Sequence, residues 1–416
     1  MKKNRVPESL NICLIGQRIQ ILSRSSDHGF LWPIARGLSQ QGHKVTIIST
    51  LSPLGKVEVE RDGVKAYFLQ EKPGALHQSF ENLAYKKFKQ LHNEKPFHIV
   101  HSMDNSAYRI GKSKKELKIS MAYDIEATQM SQLFSILGMG QETLGGLITT
   151  AIAVAYKFIR TYLGRDRKLL KTADGIFVTN PQQRIILERY YLYPDYHIYQ
   201  VPYGVDLGDL TPREKSIELR RKLELPENSQ TAVTISDMTE IREIIPLLQA
   251  FERVAIKKPN AYLILVGHGP YFKEIEFEVL KRALGSRVLM PGAVKNLELM
   301  DYILVGDVYI NLSSRTTGFE PSMIEAMAQK RVIIGSEVSP IANVVEDAVD
   351  GFLIRPADTD SLTHLLIAIF SGEIPAEEIG EKARSKVVDL FDPQRMIQSV
   401  NEAYRNILLR RGYYRS

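Results

Sequence analysis

The residue types able to do chemistry are densest between Val308 and Pro356. An apolar run ends at Leu312 and a polar, Gly-containing loop follows. Pro321 then stands where a first helical turn tolerates proline, and Glu325 lies one turn in. Backbone amides of Thr317–Ser322 would point out of a helix N-terminus, an arrangement suited to phosphate. Glu325, on the inner face of that helix, could accept hydrogen bonds from paired hydroxyls such as those of a ribose. Taken alone it reads equally as a surface glutamate favoured by the helix dipole.

Other chemistries lack their residues. The one cysteine, Cys13, excludes an internal disulfide and a cysteine-built zinc site, and its setting in Ile12-Cys13-Leu14-Ile15 reads as core. No acidic cluster has metal-ligand spacing, and the nine histidines are scattered. No nucleic-acid-binding module or interleaved basic and aromatic stripe is present, and Lys112–Lys118 reads as a solvated helix end.

Elements that could position Glu325 follow from apolar periodicity. Asn11–Gly16 predicts a buried strand, Trp32–Gln41 a helix closed at Gly42, and Lys44–Ser49 the next strand, a βαβ start. Val64–Leu69, His98–His101, Ile119–Ala122, Gly175–Val178 and Ile198–Pro202 continue the series. The pattern restarts with a strand at Thr231–Ile235, a helix at Ile241–Lys257 and strands at Tyr262–Val266, Val288–Met290, Val308–Leu312 and Val332–Gly335. Two such series predict an α/β protein with two doubly wound parallel sheets, ligands lying outside the carboxyl ends of the strands. The boundary falls near residues 204–212.

Charge divides at the same place. The chain of 416 residues carries +6, but residues 1–204 hold 28 Lys/Arg against 17 Asp/Glu, and residues 205–416 hold 26 against 31. An anionic surface or ligand for the first half, or a solvated basic face, would each explain this.

With the elements placed, the chain resembles the retaining glycosyltransferases of family four, which have the GT-B fold. The resemblance rests on Gly318-Phe319, Ile324-Glu325-Ala326-Met327-Ala328, Val332-Ile333-Ile334 and Asp350-Gly351-Phe352-Leu353-Ile354. Supporting matches are Gly42-His43-Lys44-Val45, Ala173-Asp174, Val201-Pro202-Tyr203-Gly204-Val205-Asp206 and Val266-Gly267-His268-Gly269-Pro270. They run in the family's order over nearly the whole chain. The resemblance implies a cleft between two Rossmann-like domains, with residues 1–204 binding the acceptor and 205–392 a nucleotide-diphosphate sugar. The final helices, 393–416, would cross back onto the first domain. It also implies that cations and helix N-termini, not a metal, balance the diphosphate, so no cofactor is expected.

Carried over by position, Glu325 matches the glutamate that binds the nucleotide ribose, and its usual partner falls on Thr317, with Glu320 close by. The diphosphate-binding Arg and Lys fall on Asp237 and Arg242, and Arg315 is a further candidate cation. Base and sugar would be read around Gly267, Gly292-Ala293-Val294 and Thr317–Met323, which includes Gly318, Phe319, Ser322 and Met323. The loop glutamate after Gly335 falls on Asn343. In the first domain a histidine near the reacting sugar falls on Tyr123, followed by Asp124. The family's glycine pair falls near Ser25-Ser26, with Gly29 beside it. The polar loop Gln17–Gly29 offers Asp27 and His28 to acceptor hydroxyls, or as a cap for the next helix.

Two functions fit this pattern. One is a metal-independent transferase placing a sugar on a saccharide or lipid-linked acceptor in cell-surface glycan or glycolipid synthesis. Arg242, Thr317 and Glu325 would carry its catalysis. The other is a non-catalytic GT-B protein that binds nucleotide sugar or acts as scaffold for an active enzyme; Asp237 and Thr317 are what it would show. The stretch from Leu133 to Leu163 departs from the βα alternation. Its charge-free run, Thr143–Tyr156, is too short to span a bilayer, and Arg160, Arg165, Arg167, Lys168 and Lys171 follow it. It reads as an interfacial amphipathic element on anionic lipid, or as a core helix with a solvated basic end. Ile12–Ile15 is too short for a signal-peptide core, so a cytoplasmic place is expected, peripheral to the inner face of the plasma membrane if lipid is bound.

Overall fold

The computed structural model describes residues 6–17, 31–50, 55–70, 79–125, 152, 155, 156, 159, 164–179, 181–202, 204, 210–313 and 321–411. The chain forms two compact units. The first takes in Met1–Ser23, His28–Asp206 and Phe391–Ser416; Arg24–Asp27 and Leu207–Leu390 make the second.

The first unit is built on β1 (Asn11–Ile15), β2 (Lys44–Ser49), β3 (Glu58–Arg61), β4 (Val64–Phe68), β5 (Ile99–Ser102), β6 (Ser120–Asp124), β7 (Gly175–Val178) and β8 (Ile198–Gln200). They lie in the order β3-β4-β2-β1-β5-β6-β7-β8, parallel except for the β3–β4 hairpin. Every residue of β1, β5 and β7 is buried, because helices cover both faces of a parallel sheet. Cys13 is among them, and burial pushes its thiol pKa up, away from thiolate chemistry.

Successive residues of a strand face opposite cores. Ile12, Leu14, Ile99, Ala122 and Phe177 pack with the helices Leu31–Gln40 and Pro393–Arg411. Cys13, Ile15, Val100, Met121 and Tyr123 pack on the other side with Phe80, Phe88 and Leu187. The C-terminal helix buries Met396, Ile397, Val400, Ala403, Tyr404 and Ile407, one stripe at helical spacing. It sits so close to the helix Leu31–Gln40 that a Cβ at Gly37 would stand 2.1 Å from Ile397 Cδ1. Its last turn brings Arg411 onto Asp174, which also meets Lys114 Nζ at 2.8 Å and accepts from Met121 N at 2.9 Å.

The second unit holds β9 (Gln230–Ile235), β10 (Ala261–Val266), β11 (Val288–Gly292), β12 (Val308–Asn311), β13 (Val332–Ser336) and β14 (Phe352–Ile354), all parallel, in the order β11-β10-β9-β12-β13-β14. The order reverses between β9 and β12, and the crevice outside their carboxyl ends is where such sheets bind ligands. In the first unit the reversal lies between β1 and β5.

Among the described residues, no helix is long and apolar enough to cross a membrane. Most of the stretch from Leu133 to Leu163 lies outside them. Of the part described, Ile152, Tyr156 and Ile159 are helical and 65 %, 62 % and 58 % exposed, so these three are not core. Their spacing places them on one helix face.

Candidate functional site

A cavity of about 180 Å3 opens at the reversal of the second sheet. Thr234, Ile235, Ser236 and Asp237 line it from the exit of β9, and Asn311, Leu312 and Ser313 from the exit of β12. Glu243, Ile244 and Leu247 contribute from the helix Ile241–Lys257, and Ser322 from the helix Pro321–Ala328. Hydroxyl, amide and carboxyl groups thus converge on one crevice, with a helix beginning beside it.

Local turn chemistry shapes this crevice. Asp237 Oδ1 accepts from Thr239 N (3.2 Å) and Thr239 Oγ1 (2.7 Å), and Ser236 Oγ accepts from Met238 N (3.0 Å). Asp237 is thereby committed to the turn that lowers Met238 into the core. The loop after β10 lies directly against that turn. Gly267 has φ +128°, and a Cβ there would stand 1.8 Å from Ser236 O, so only glycine fits. On the β12 side, Asn311 Oδ1 accepts from Ser313 N at 3.0 Å, and Tyr309 donates its hydroxyl proton to Ser322 Oγ at 2.8 Å.

Of the donor-side residues named from the sequence, Ser322 lines the cavity. Glu325 lies one turn further along the same helix and is 2 % exposed, beside buried Met323. Gly292 ends β11 at φ +76° and accepts from Gly267 N at 3.0 Å, and Val294 follows it, half-buried. Arg315, Thr317, Gly318, Phe319 and Glu320 lie outside the described residues. Arg242 is not among the lining residues. Its side chain is 68 % exposed on the first turn of its helix, 3.8 Å from Glu240.

In the first unit Asp27, His28 and Gly29 lie outside the described residues. Tyr123 and Asp124 are neighbours on β6 and so face opposite ways. Tyr123 is fully buried, its hydroxyl 3.0 Å from Thr172 Oγ1, and burial raises its phenol pKa. Packed there, it points away from Asp124. The Asp124 side chain comes within 3.1 Å of His101 Nε2, and His101 Nδ1 lies 2.7 Å from the Tyr404 hydroxyl.

The sequence reading missed His101, Tyr404 and most of the cavity lining. The lining could have been found, since Ser236 and Asp237 stand just past one apolar run, and Asn311 and Ser313 at the end of another. Two quoted motifs serve packing instead. Asp174 ties down the C-terminal helix, and Asp350 accepts from Glu346 N at 2.8 Å and pairs with Lys386.

Residues 215–386 match the family described as Glycosyl transferases group 1. The chain is 26 % identical over 191 residues to the N-acetyl-alpha-D-glucosaminyl L-malate synthase of Bacillus anthracis, covering 46 % of this chain and 49 % of that one. It spans about half the length of the curated relatives it matches first. Among solved structures it is similar to the sucrose-phosphate synthase of Thermosynechococcus elongatus, with TM-score 0.73, 20 % identity, and 95 % and 98 % of the two chains covered. It is also similar to Anabaena HepE in complex with UDP and glucose, with TM-score 0.71, 16 % identity and 94 % and 98 % covered. These likenesses together with the two parallel α/β units show the GT-B fold.

Proposed function

We propose that the chain is a retaining, metal-independent glycosyltransferase. It would move a sugar from a nucleotide diphosphate to a hydroxyl of a saccharide or lipid-linked acceptor, in the making of cell-surface glycan or glycolipid. The observation that carries this reading is the cavity at the β9/β12 reversal, with polar groups at both strand exits and a helix starting at Pro321 beside it. A nucleotide diphosphate suits that crevice, its phosphates toward the helix N-terminus and its ribose toward Glu325. HepE, whose structure holds UDP and glucose, supports a uridine nucleotide as the first donor to try.

In a retaining, same-face transfer the departing diphosphate oxygen takes the proton of the acceptor hydroxyl. No strong side-chain base is then required, and the protein's task is to hold both partners and spread the leaving group's charge. Arg242, with Arg315, and backbone amides around Gly318 would supply that stabilisation. The ion pair of Arg242 with Glu240 is exposed and worth about 0–1 kcal/mol, so a diphosphate can draw the guanidinium away. The exposed Ile152, Tyr156 and Ile159 and the basic residues after them support a seat on anionic lipid at the cytoplasmic face.

One observation favours a non-catalytic nucleotide-sugar-binding or scaffold role. The described lining of the cavity contains Asp237 and Glu243 but no Lys or Arg. A thermal-shift screen of UDP, ADP and GDP and their sugars, followed by donor hydrolysis and transfer into membrane extracts, separates the readings. Binding with turnover that falls in Arg242→Ala and Glu325→Ala supports the transferase. Binding without turnover supports the second role, and no binding removes the transferase and leaves only the scaffold.

A further inference from the structure

We infer that Tyr404, His101 and Asp124 form a buried polar chain, a hydrogen bond between Tyr404 and His101 and a close contact between His101 and Asp124, that aims the second carboxylate oxygen of Asp124 at one acceptor hydroxyl. This rests on the transferase reading above and adds two positioning residues to it. Three elements build the chain: the neighbouring strands β5 and β6 supply His101 and Asp124, and the distant C-terminal helix supplies Tyr404. His101 and Tyr404 are fully buried, and the Asp124 side chain is 7 % exposed.

For a neutral imidazole the two contacts select one tautomer. A carboxylate only accepts, so the imidazole nitrogen 3.1 Å from it, Nε2, carries the ring proton. Nδ1 is then an acceptor, and the Tyr404 hydroxyl at 2.7 Å donates to it. Burial, followed by the nearby charge of Asp124, raises the Tyr404 pKa well above its ordinary value, which keeps that donor protonated. The His101 ring cannot swing. Phe177 stacks on it at 4.6 Å between centroids, and Tyr404 meets its edge at 5.7 Å.

The chain is unfinished at its outer end. Oδ2 of Asp124 is buried and has no hydrogen-bond partner among the described residues. The Nε2–H of His101 is close to Oδ1 but poorly aligned for a hydrogen bond. Burying a carboxylate oxygen without a donor is unfavourable, so this oxygen calls for one. The space available names its size. A cavity of about 10 Å3, bounded by His101, Asp124, Thr179 and Pro202 and otherwise by apolar side chains of the core such as Phe177 and Val201, holds one water-sized group. It lies beside the last residues of β6 and β7, the edge at which parallel sheets bind ligands. A hydroxyl fits in size and in chemistry, since it donates to Oδ2.

Two measurements on the full chain test this. In the first, histidine labelled with 15N reports the tautomer. His101 should appear as the Nε2–H form, and Tyr404→Phe, which keeps the ring and its packing, should move Nδ1 to the shift of an unbonded imine nitrogen. An Nδ1–H tautomer, or an Nδ1 signal indifferent to Tyr404→Phe, overturns the chain. In the second, UDP-, ADP- and GDP-glucose are offered with membrane extract as acceptor. Tyr404→Phe should raise the acceptor KM roughly three- to tenfold, and Asp124→Asn should lower kcat/KM for transfer roughly 10- to 100-fold, while the dissociation constant of the donor stays within about twofold. Unchanged transfer by both variants overturns the hydroxyl role alone. No turnover by the unaltered protein on any donor overturns that role together with the transferase reading.

Discussion

The two sheets finish their strands in contrasting ways. At the β9/β12 reversal the second unit leaves about 180 Å3 open, and its lining comes from two short stretches of chain, 234–247 and 311–322. Beside Asp124, at the end of β6 in the first unit, the described residues bound a cavity of only about 10 Å3. The polar groups of the chain behind it come from positions 101, 124 and 404. A nucleotide diphosphate is large and charged and needs a standing crevice. A single acceptor hydroxyl needs only one well-aimed oxygen, and aim is gained by burying that oxygen's supports. The contrast teaches that local turns are enough to build a pocket for a large ligand, whereas fine positioning draws on the whole fold.

The strongest way to break the contrast is to remove a support that reaches across the first unit. Asp174 holds Lys114, Arg411 and a backbone amide at once, and Asp174→Ala leaves two cations in buried or half-buried places. Breaking such a cluster costs about 3–5 kcal/mol. Denaturant unfolding should show the first unit losing that much while the transition of the second stays put; a common loss in both would mean that the units do not unfold separately.

Next comes the open crevice. Glu325→Ala should weaken UDP-sugar binding roughly 10- to 100-fold, the worth of a hydrogen bond to a charged group, with little effect at the Asp124 end. Calorimetric titration of both proteins with UDP-glucose reads this directly. Equal affinities would remove Glu325 from the ribose.

Acid should then part the two units. His43, His92 and His98 in the first unit each accept a backbone amide on Nδ1, from Leu10 (3.1 Å), Phe97 (3.1 Å) and Asn11 (2.7 Å). Burial lowers all three pKa values. Between the lowered folded value and about 6.5 the unfolded chain binds more protons, so stability is complete above roughly pH 6.5 and is lost as pH falls through that window. Differential scanning calorimetry at pH 7.5 and 5.5 should show the first unit's transition falling further than the second's. Equal movement would contradict the assignment to these histidines.

Smallest of all is the effect of Arg242→Ala on stability, below about 0.5 kcal/mol for an exposed pair. Its effect on UDP affinity, expected near tenfold, sharpens the donor side. A thermal melt with and without UDP separates the two effects.

Much of the fold was legible because buried parallel strands are written as short apolar runs, as in Ile12–Ile15 and Val332–Ile334. β3 was not, since Glu58–Arg61 is short, largely charged and mostly uncovered. The signal lay in the turn that follows, Asp62-Gly63, where both residues have positive φ, the conformation a tight hairpin needs. On the donor side, Ser322 and Glu325 were legible because a strand, a loop and a helix start are consecutive in the chain. Arg242 was judged by its position in a motif, and position says nothing about where a flexible side chain rests. Tyr123 and Asp124 were named together as adjacent residues, and the pleat of β6 sends them to opposite faces.

From the sequence alone came the two parallel sheets, the edge at which each would bind, and the helix that carries Glu325. All of these follow from periodicity and turn residues within some twenty positions of one another. Tertiary structure alone decided that Asp124 would have His101 and Tyr404 behind it. The hydrogen bond from Tyr404 to His101 joins residues 303 positions apart. Strand order and the docking of the last helix set that meeting, and neither is encoded in any short stretch of chain.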